Sequence, residues 1–188
     1  GRDRSIRLIQ EVYRGNRTLG VVSQMDSRIE EPNAEDLNRI GTIATIIRML
    51  RMPDGSTTAI IQGKKRFEIM EMVKIDPFFT AKVKEFAEIR PNKDDKEFDA
   101  LVSTLKDLAM RIIKANPNIP TEAGFAIKNI DSPSFLVNFI SSNMNAEVAE
   151  KQKMLEVADL RERANLLLAH LTKELQMLQM KNEIQSKV

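Results

Sequence analysis

The chain has no cysteine and no tryptophan, a single tyrosine (Tyr13) and a single histidine (His170), and each shortage closes a class of function. Without cysteine there is no disulfide framework, no thiol nucleophile and no thiolate metal site, a usage that suits a reducing compartment. His170 has no cysteine or second histidine to join it as a ligand, and a catalytic centre needs more groups than it could recruit. Ser134, Ser141 and Ser142 stand outside any recognisable nucleophile motif with a histidine or lysine. No GxxxxGK[ST] loop occurs, and Gly55-Ser56 reads as a turn, not a phosphate cradle. No apolar run approaches the roughly 18 residues of a membrane span, and no secretory leader is recognisable. The formal net charge is only +2, and lysine and arginine are not clustered with aromatics, so neither nucleic acid nor membrane is an expected partner. These 188 residues read as non-catalytic, with no cofactor or metal site.

What is present is a chain long enough for one sizeable domain or two small ones, with ten methionines. Methionine is flexible and polarisable, so it fills irregular cores and also suits surfaces that accept varied apolar partners.

The pattern changes along the sequence. Residues 4–13 place Ile6, Ile9 and Tyr13 on one helical face, with Ser5 as a candidate cap and Gly15-Asn16 as the stop. Residues 19–24 read as a buried strand, and 27–38, with Pro32, as an exposed loop. Residues 41–52 are β-branched and then alternate with basic residues, as a strand does. Pro53-Asp54-Gly55-Ser56 is a turn, because proline presets one central angle and glycine accepts a positive φ. Residues 57–62 return as the partner strand, with Gly63 expected to break it. Further strands are expected at 66–74 and, after the Asp76-Pro77 turn, at 79–89. Apolar residues then recur every three or four positions from Phe98 to Ile112, an amphipathic helix.

The stretch 112–145 organises the helical half. Pro117, Pro120 and Pro133 divide it into short helices, and Gly124 sits where a close helix contact needs a small residue. A helix over 146–157 follows, and Asp159 can cap a last helix with no glycine or proline to its end at Val188. The expected fold is α+β: a small rolled antiparallel β-sheet, pseudo-barrel-like, with a packed helix, then a helical bundle and a long C-terminal helix. Three segments are expected: a β-rich part at 1–90, a helical part at 91–145, and a helix pair at 146–188 that ends in the long projecting helix.

Two surfaces are candidates for function. Met49, Met52, Phe67, Met70, Met72 and Phe78 on the strands can line an apolar groove, although periodic apolar stripes also form cores. On the last helix, Ala164, Leu168, Leu171, Leu175 and Leu178, with Asn182, make a heptad-like, coiled-coil type seam. That seam can fold back on its own domain or pair with another chain, and the spacing leaves both open.

Several segments together resemble the N-terminal region of bacterial Lon, the family of ATP-dependent AAA+ serine proteases, in the version found in Bacteroidetes-type bacteria. They are the strand with Gly41, Ala44 and Ile46, the Pro53-Asp54-Gly55 turn, the step Gln62, Gly63, Arg66 and Phe67, and the MLEV start (Met154 to Val157) of a leucine-rich helix. The resemblance covers essentially the whole chain. It implies a domain that recognises substrates, chiefly unfolded, damaged or degron-bearing proteins, and helps a hexamer of Lon subunits assemble in cytoplasmic protein quality control. It also implies that the peptidase and the ATPase module, with its ATP and Mg, lie beyond Val188. The family usually starts one proline-containing strand earlier, so this chain, opening at Gly1, is expected to be a fragment with one sheet edge left open. Two other readings remain: a scaffold that spaces and oligomerises through the long helix, and a stand-alone reader of a small ligand or degron.

Overall fold

The structure, a computed structural model, describes residues 3–187 and divides into two compact units, Gly1–Ala87 and Glu88–Val188.

In the first unit α1 (Asp3–Arg14) precedes β1 (Thr18–Val21), a short 3-10 turn (Ala34–Asp36), β2 (Ile40–Arg51), β3 (Thr57–Lys74) and β4 (Thr80–Glu85). The strands form one open antiparallel sheet in the order β1-β2-β3-β4, with α1 beside β1. Ser5 lies inside α1, which already begins at Asp3, so it is not the cap. The hairpin turn has its expected chemistry. Gly55 has φ 88°, and the Asp54 carboxylate accepts from the Ser56 amide at 2.9 Å and its hydroxyl at 2.6 Å.

Gly63 does not break the strand. It pairs with Ala44 inside an uninterrupted 18-residue β3, and the next residue, Lys64, is the extra one of a bulge. Ile47 in β2 and Met70 and Val73 in β3 are extra residues at three further irregularities. Bulges let a strand bend while keeping its pairing, so one strand serves both β2 and β4. β4 is also shorter than the expected 79–89: it ends at Glu85, and Ile89 forms a single parallel bridge with Asp159 in the second unit's own fold.

Ala44, Ile46, Phe67 and Ile69 form the buried centre of the sheet unit. Gly41 makes this packing possible. A Cβ there would lie 2.2 Å from the Val21 carbonyl oxygen, 2.4 Å from Val22 Cγ1 and 3.1 Å from Phe67 Cζ. Because the nearest atom is backbone, Gly41→Ala must separate β1 from β2. The expected cost is about 1–3 kcal/mol, typical of overpacking and measurable by urea unfolding. A loss under about 0.5 kcal/mol would mean that β1 is not held this closely.

The second unit contains α2 (Lys96–Ala115), α3 (Glu122–Lys128), α4 (Pro133–Asn143), α5 (Val148–Leu155) and α6 (Leu160–Ser186). Each of the three longer helices starts at a side-chain cap: Asp95 accepts from the Phe98 amide, Ser132 from Phe135, and Asp159 from Glu162. Pro133 occupies the first turn of α4, where its missing amide donor is not needed. Gly124 is buried, with Met110 Cε 3.2 Å from where its Cβ would be. One core, including Leu105, Leu136, Val137, Ala164 and Leu167, joins α2, α4 and α6, so the helices on both sides of residue 145 share their packing.

Candidate functional site

The six strand residues expected to line one groove do not sit together. Phe67 is only 4% exposed and is the centre of the sheet core, under Gly20 and Gly41, so it cannot contact a ligand. Met49, Met72 and Phe78 are half-buried, whereas Met52 and Met70 are exposed. Met52 lies at the β2–β3 turn, where its amide donates to the Ser56 carbonyl at 2.8 Å. Met70 is near the other end of β3, roughly 45 Å away along a straight strand at ~3.3 Å per residue.

Other exposed apolar residues lie on and beside β3 and β4. Met70 and Val73 are bulge residues of β3, Ile75 follows its end, and Val83 of β4 pairs with Ile69. These four side chains are each between 44% and 55% exposed. A bulge re-aims side chains out of the sheet's strict alternation, which is how Met70 and Val73 come to face solvent. Sequence reasoning missed Val73, Ile75 and Val83. The available signal was the doubled apolar steps Ile69-Met70 and Met72-Val73, which break a period of two.

On α6 the heptad positions are placed inside the helical unit. Ala164, Leu171 and Leu175 are buried, Leu168 and Leu178 are partly buried against the same core, and Asn182 donates to the Ala115 carbonyl at the end of α2. Exposed apolar residues of this helix include Leu166 and, towards its end, Met177, Met180 and Ile184, spaced three and four apart on the opposite face.

Two polar clusters complete the second unit. Arg163, 3% exposed, donates to Glu88 Oε1 at 2.8 Å and to Asn138 Oδ1. Glu88 also accepts from Ser134 Oγ at 2.8 Å and Arg90 Nε at 2.9 Å. Burial pushes the Glu88 carboxyl up, but the bonds from Ser134 and Arg90 and the charge of Arg163 outweigh it and leave the pKa below the ordinary 4.5. Around His170, an open groove of about 950 Å³ runs between the end of α2, the α4–α5 connection and α6. The His170 Nε2 lies 3.1 Å from the Asn145 carbonyl, and burial raises the Glu174 carboxyl above 4.5. Among the described residues no group of three or more His, Cys, Asp or Glu side chains could hold a metal ion. None of the described helices is long and apolar enough to cross a membrane.

The family model described as the ATP-dependent protease La (LON) substrate-binding domain matches residues 1–173. The chain belongs to this family. It is 54% identical over 188 residues to the Lon protease of Flavobacterium johnsoniae and 50% identical to that of Cytophaga hutchinsonii, covering all of this chain and 23% of each relative. It thus spans about a quarter of the length of the Lon proteases it matches. The Lon protease of Parabacteroides distasonis is 44% identical over 187 residues, again 23% of that protein. In fold, the chain is similar to the N-terminal domain of Mycobacterium avium complex Lon protease, with TM-score 0.72 at 20% identity, over 92% of this chain and 87% of that one. A Lon N-terminal domain protein from Xanthomonas campestris gives TM-score 0.60 at 17% identity, over 90% and 85%. The α+β architecture of this Lon domain, an antiparallel sheet followed by helices and a long last helix, is the one the sequence led us to expect, although the four described strands form an open sheet and do not close into a barrel.

Proposed function

We propose that this Lon domain captures unfolded, damaged or degron-bearing proteins for a cytoplasmic, ATP-dependent hexameric protease, holding them by apolar contact on its β3–β4 surface. The observation that carries this reading is the exposure of Met70, Val73, Ile75 and Val83 on and beside β3 and β4, the first two at bulges of β3. Folded proteins bury their apolar segments and unfolded ones do not, so an adaptable apolar surface discriminates between them without reading sequence. Six such surfaces on one ring convert weak contacts into useful avidity. The peptidase and the ATP and Mg sites belong, in this reading, to the rest of the protease.

The test is binding of a fluorescent, permanently unfolded protein to this chain without nucleotide, with the folded form of the same protein as control. Met70→Lys with Val73→Lys should weaken saturable binding by on the order of tenfold and shift stability by less than about 0.5 kcal/mol, as exposed substitutions do. Unchanged binding by that folded variant would remove this surface from the reading.

A second reading, assembly through α6, is favoured by the stripe Met177, Met180 and Ile184, each more than 60% exposed. A stripe of this kind on an otherwise polar helix face suits a neighbouring subunit.

A further inference from the structure

His170, the chain's only histidine, projects from α6 with its side chain 23% exposed, and its two ring nitrogens meet different partners. Nε2 lies 3.1 Å from the Asn145 carbonyl. A carbonyl only accepts, so this bond requires the proton on Nε2. In the neutral ring Nδ1 is then a lone pair, and it faces a carboxylate: Glu150 Oε2, on α5, is 3.7 Å away. Two acceptors make no hydrogen bond, and 3.7 Å is too long for one. A proton on Nδ1 turns the same pair into a charge-assisted contact.

A second carboxylate lies on the Nε2 side. Glu174 Oε2, one turn along α6, is 3.9 Å from that nitrogen, is buried and has no hydrogen-bond partner. The Asn145 amide donates to the Glu174 carboxylate, so Asn145 is bonded to α6 through both its carbonyl and its amide. An imidazolium at His170 has one carboxylate on α5 and one on its own helix. The other charged groups lining the groove are Glu147 on the α4–α5 connection and Lys173 and Lys181 on α6, and the end of α2 brings none. Lys151 of α5 donates to the Ser142 carbonyl at 3.0 Å. Three carboxylates against two lysines leave the groove acidic, a setting that favours a cation within it.

α5 is the element that this contact secures. It has eight residues, its N-cap Glu147 makes no side-chain bond to it, and residues 147–150 are all exposed. Its buried side chains, Gln152 and Met154, lie towards the other end. A short helix held at one end opens locally at little cost.

We propose that His170 is a proton-operated latch: taking up a proton at Nδ1, it draws the Glu150 carboxylate onto its ring and ties the loose end of α5 to α6. The latch engages as pH falls through the range in which histidine takes up its proton, between about 8 and 5. It weakens again in stronger acid, as the carboxylates are themselves neutralised. Burial raises the Glu174 carboxyl above 4.5, so the Nε2 side is neutralised early.

Backbone hydrogen exchange at about pH 8 and about pH 5.5, corrected for the intrinsic pH dependence of exchange, tests the latch. The reporters are the Lys151 and Glu156 amides, bonded to the Glu147 and Gln152 carbonyls, with the amides of α2 as control. On acidification the α5 amides should gain about two- to fivefold in protection relative to α2, the size of effect a partly exposed ion pair produces. Glu150→Gln should abolish that gain and Glu150→Lys should turn it into a loss. Glu150 is exposed, so both variants keep the fold. Nitrogen NMR of the single imidazole gives a second readout: at about pH 8 its proton should reside on Nε2. A gain that survives Glu150→Gln, a gain shared equally by α2, no gain, or a proton on Nδ1 of the neutral ring would each overturn the proposal.

Discussion

Replacing Arg163 by alanine is expected to lower the stability of the helical unit by about 3–5 kcal/mol, the range for breaking a buried ion pair from one side. Arg163 projects from the first turns of α6, and Glu88 is the first residue of the same compact unit. Their side chains are 4% and 14% exposed, and the contact is 2.8 Å. Removing the guanidinium leaves the Glu88 carboxylate, 14% exposed, with Ser134 and Arg90 as its remaining donors. The backbone shares the consequence. The Ile89 amide donates to the Ala158 carbonyl at 3.0 Å and the Leu160 amide to the Ile89 carbonyl at 2.9 Å, so the ion pair and this bridge hold the same strand segment to the start of α6. The effect has a definite pH dependence. Glu88 titrates below its unfolded value near 4.5, so its contribution is complete above that value and is lost as pH falls through the folded pKa. The gap between wild type and Arg163→Ala should therefore be widest at neutral pH and narrow below pH 4.5. Urea unfolding followed by helical circular dichroism at neutral and acid pH measures both. The double change Glu88→Gln with Arg163→Met should recover part of the loss, because it leaves no buried charge unpaired. A single-variant loss below about 1 kcal/mol, or one independent of pH, would show that the pair is solvated.

What the sequence revealed and what it concealed follow from the range of the interactions involved. Caps and turns are local: Asp159 ahead of a run without glycine or proline, Pro133 at a helix start and Pro53-Asp54-Gly55-Ser56 between alternating strands all appear where residue chemistry places them. Alternation also identified β2 and both halves of β3. It could not tell that Gly63 sits within a single strand, because a bulge at Lys64 preserves pairing that a glycine by itself suggests is lost. Nor does alternation say which face meets the core. Phe67 and Met70 look alike as apolar strand residues, yet Phe67 fills the space left by Gly20 and Gly41 while the bulge turns Met70 outward. The pair Glu88 and Arg163 is separated by 75 positions, and no periodicity links them.

The heptad on α6 shows the same difficulty, and Leu171 tests its resolution. Leu171→Ala is expected to lower the stability of the helical unit by about 2–5 kcal/mol, the range for truncating a buried leucine. Leu171 is 3% exposed and shares a core with α2 residues such as Leu105 and Ile112. A spacing of alternating threes and fours marks one apolar face on a helix, but it is equally the signature of a seam between chains and of a helix packed on its own domain. The burial of Ala164, Leu171 and Leu175 against α2 identifies the second case for this face, so the loss should appear as unfolding and not as dissociation. Met180→Glu is the complementary variant. Met180 is 62% exposed on the opposite face, so its replacement should leave stability within about 0.5 kcal/mol. If α6 assembles subunits, that variant should weaken concentration-dependent self-association, while folded Leu171→Ala should not. Sedimentation velocity across a concentration series, run beside thermal unfolding of both variants, separates the two faces. Loss of self-association by Leu171→Ala at temperatures where it remains folded would return the heptad seam to an interface between chains.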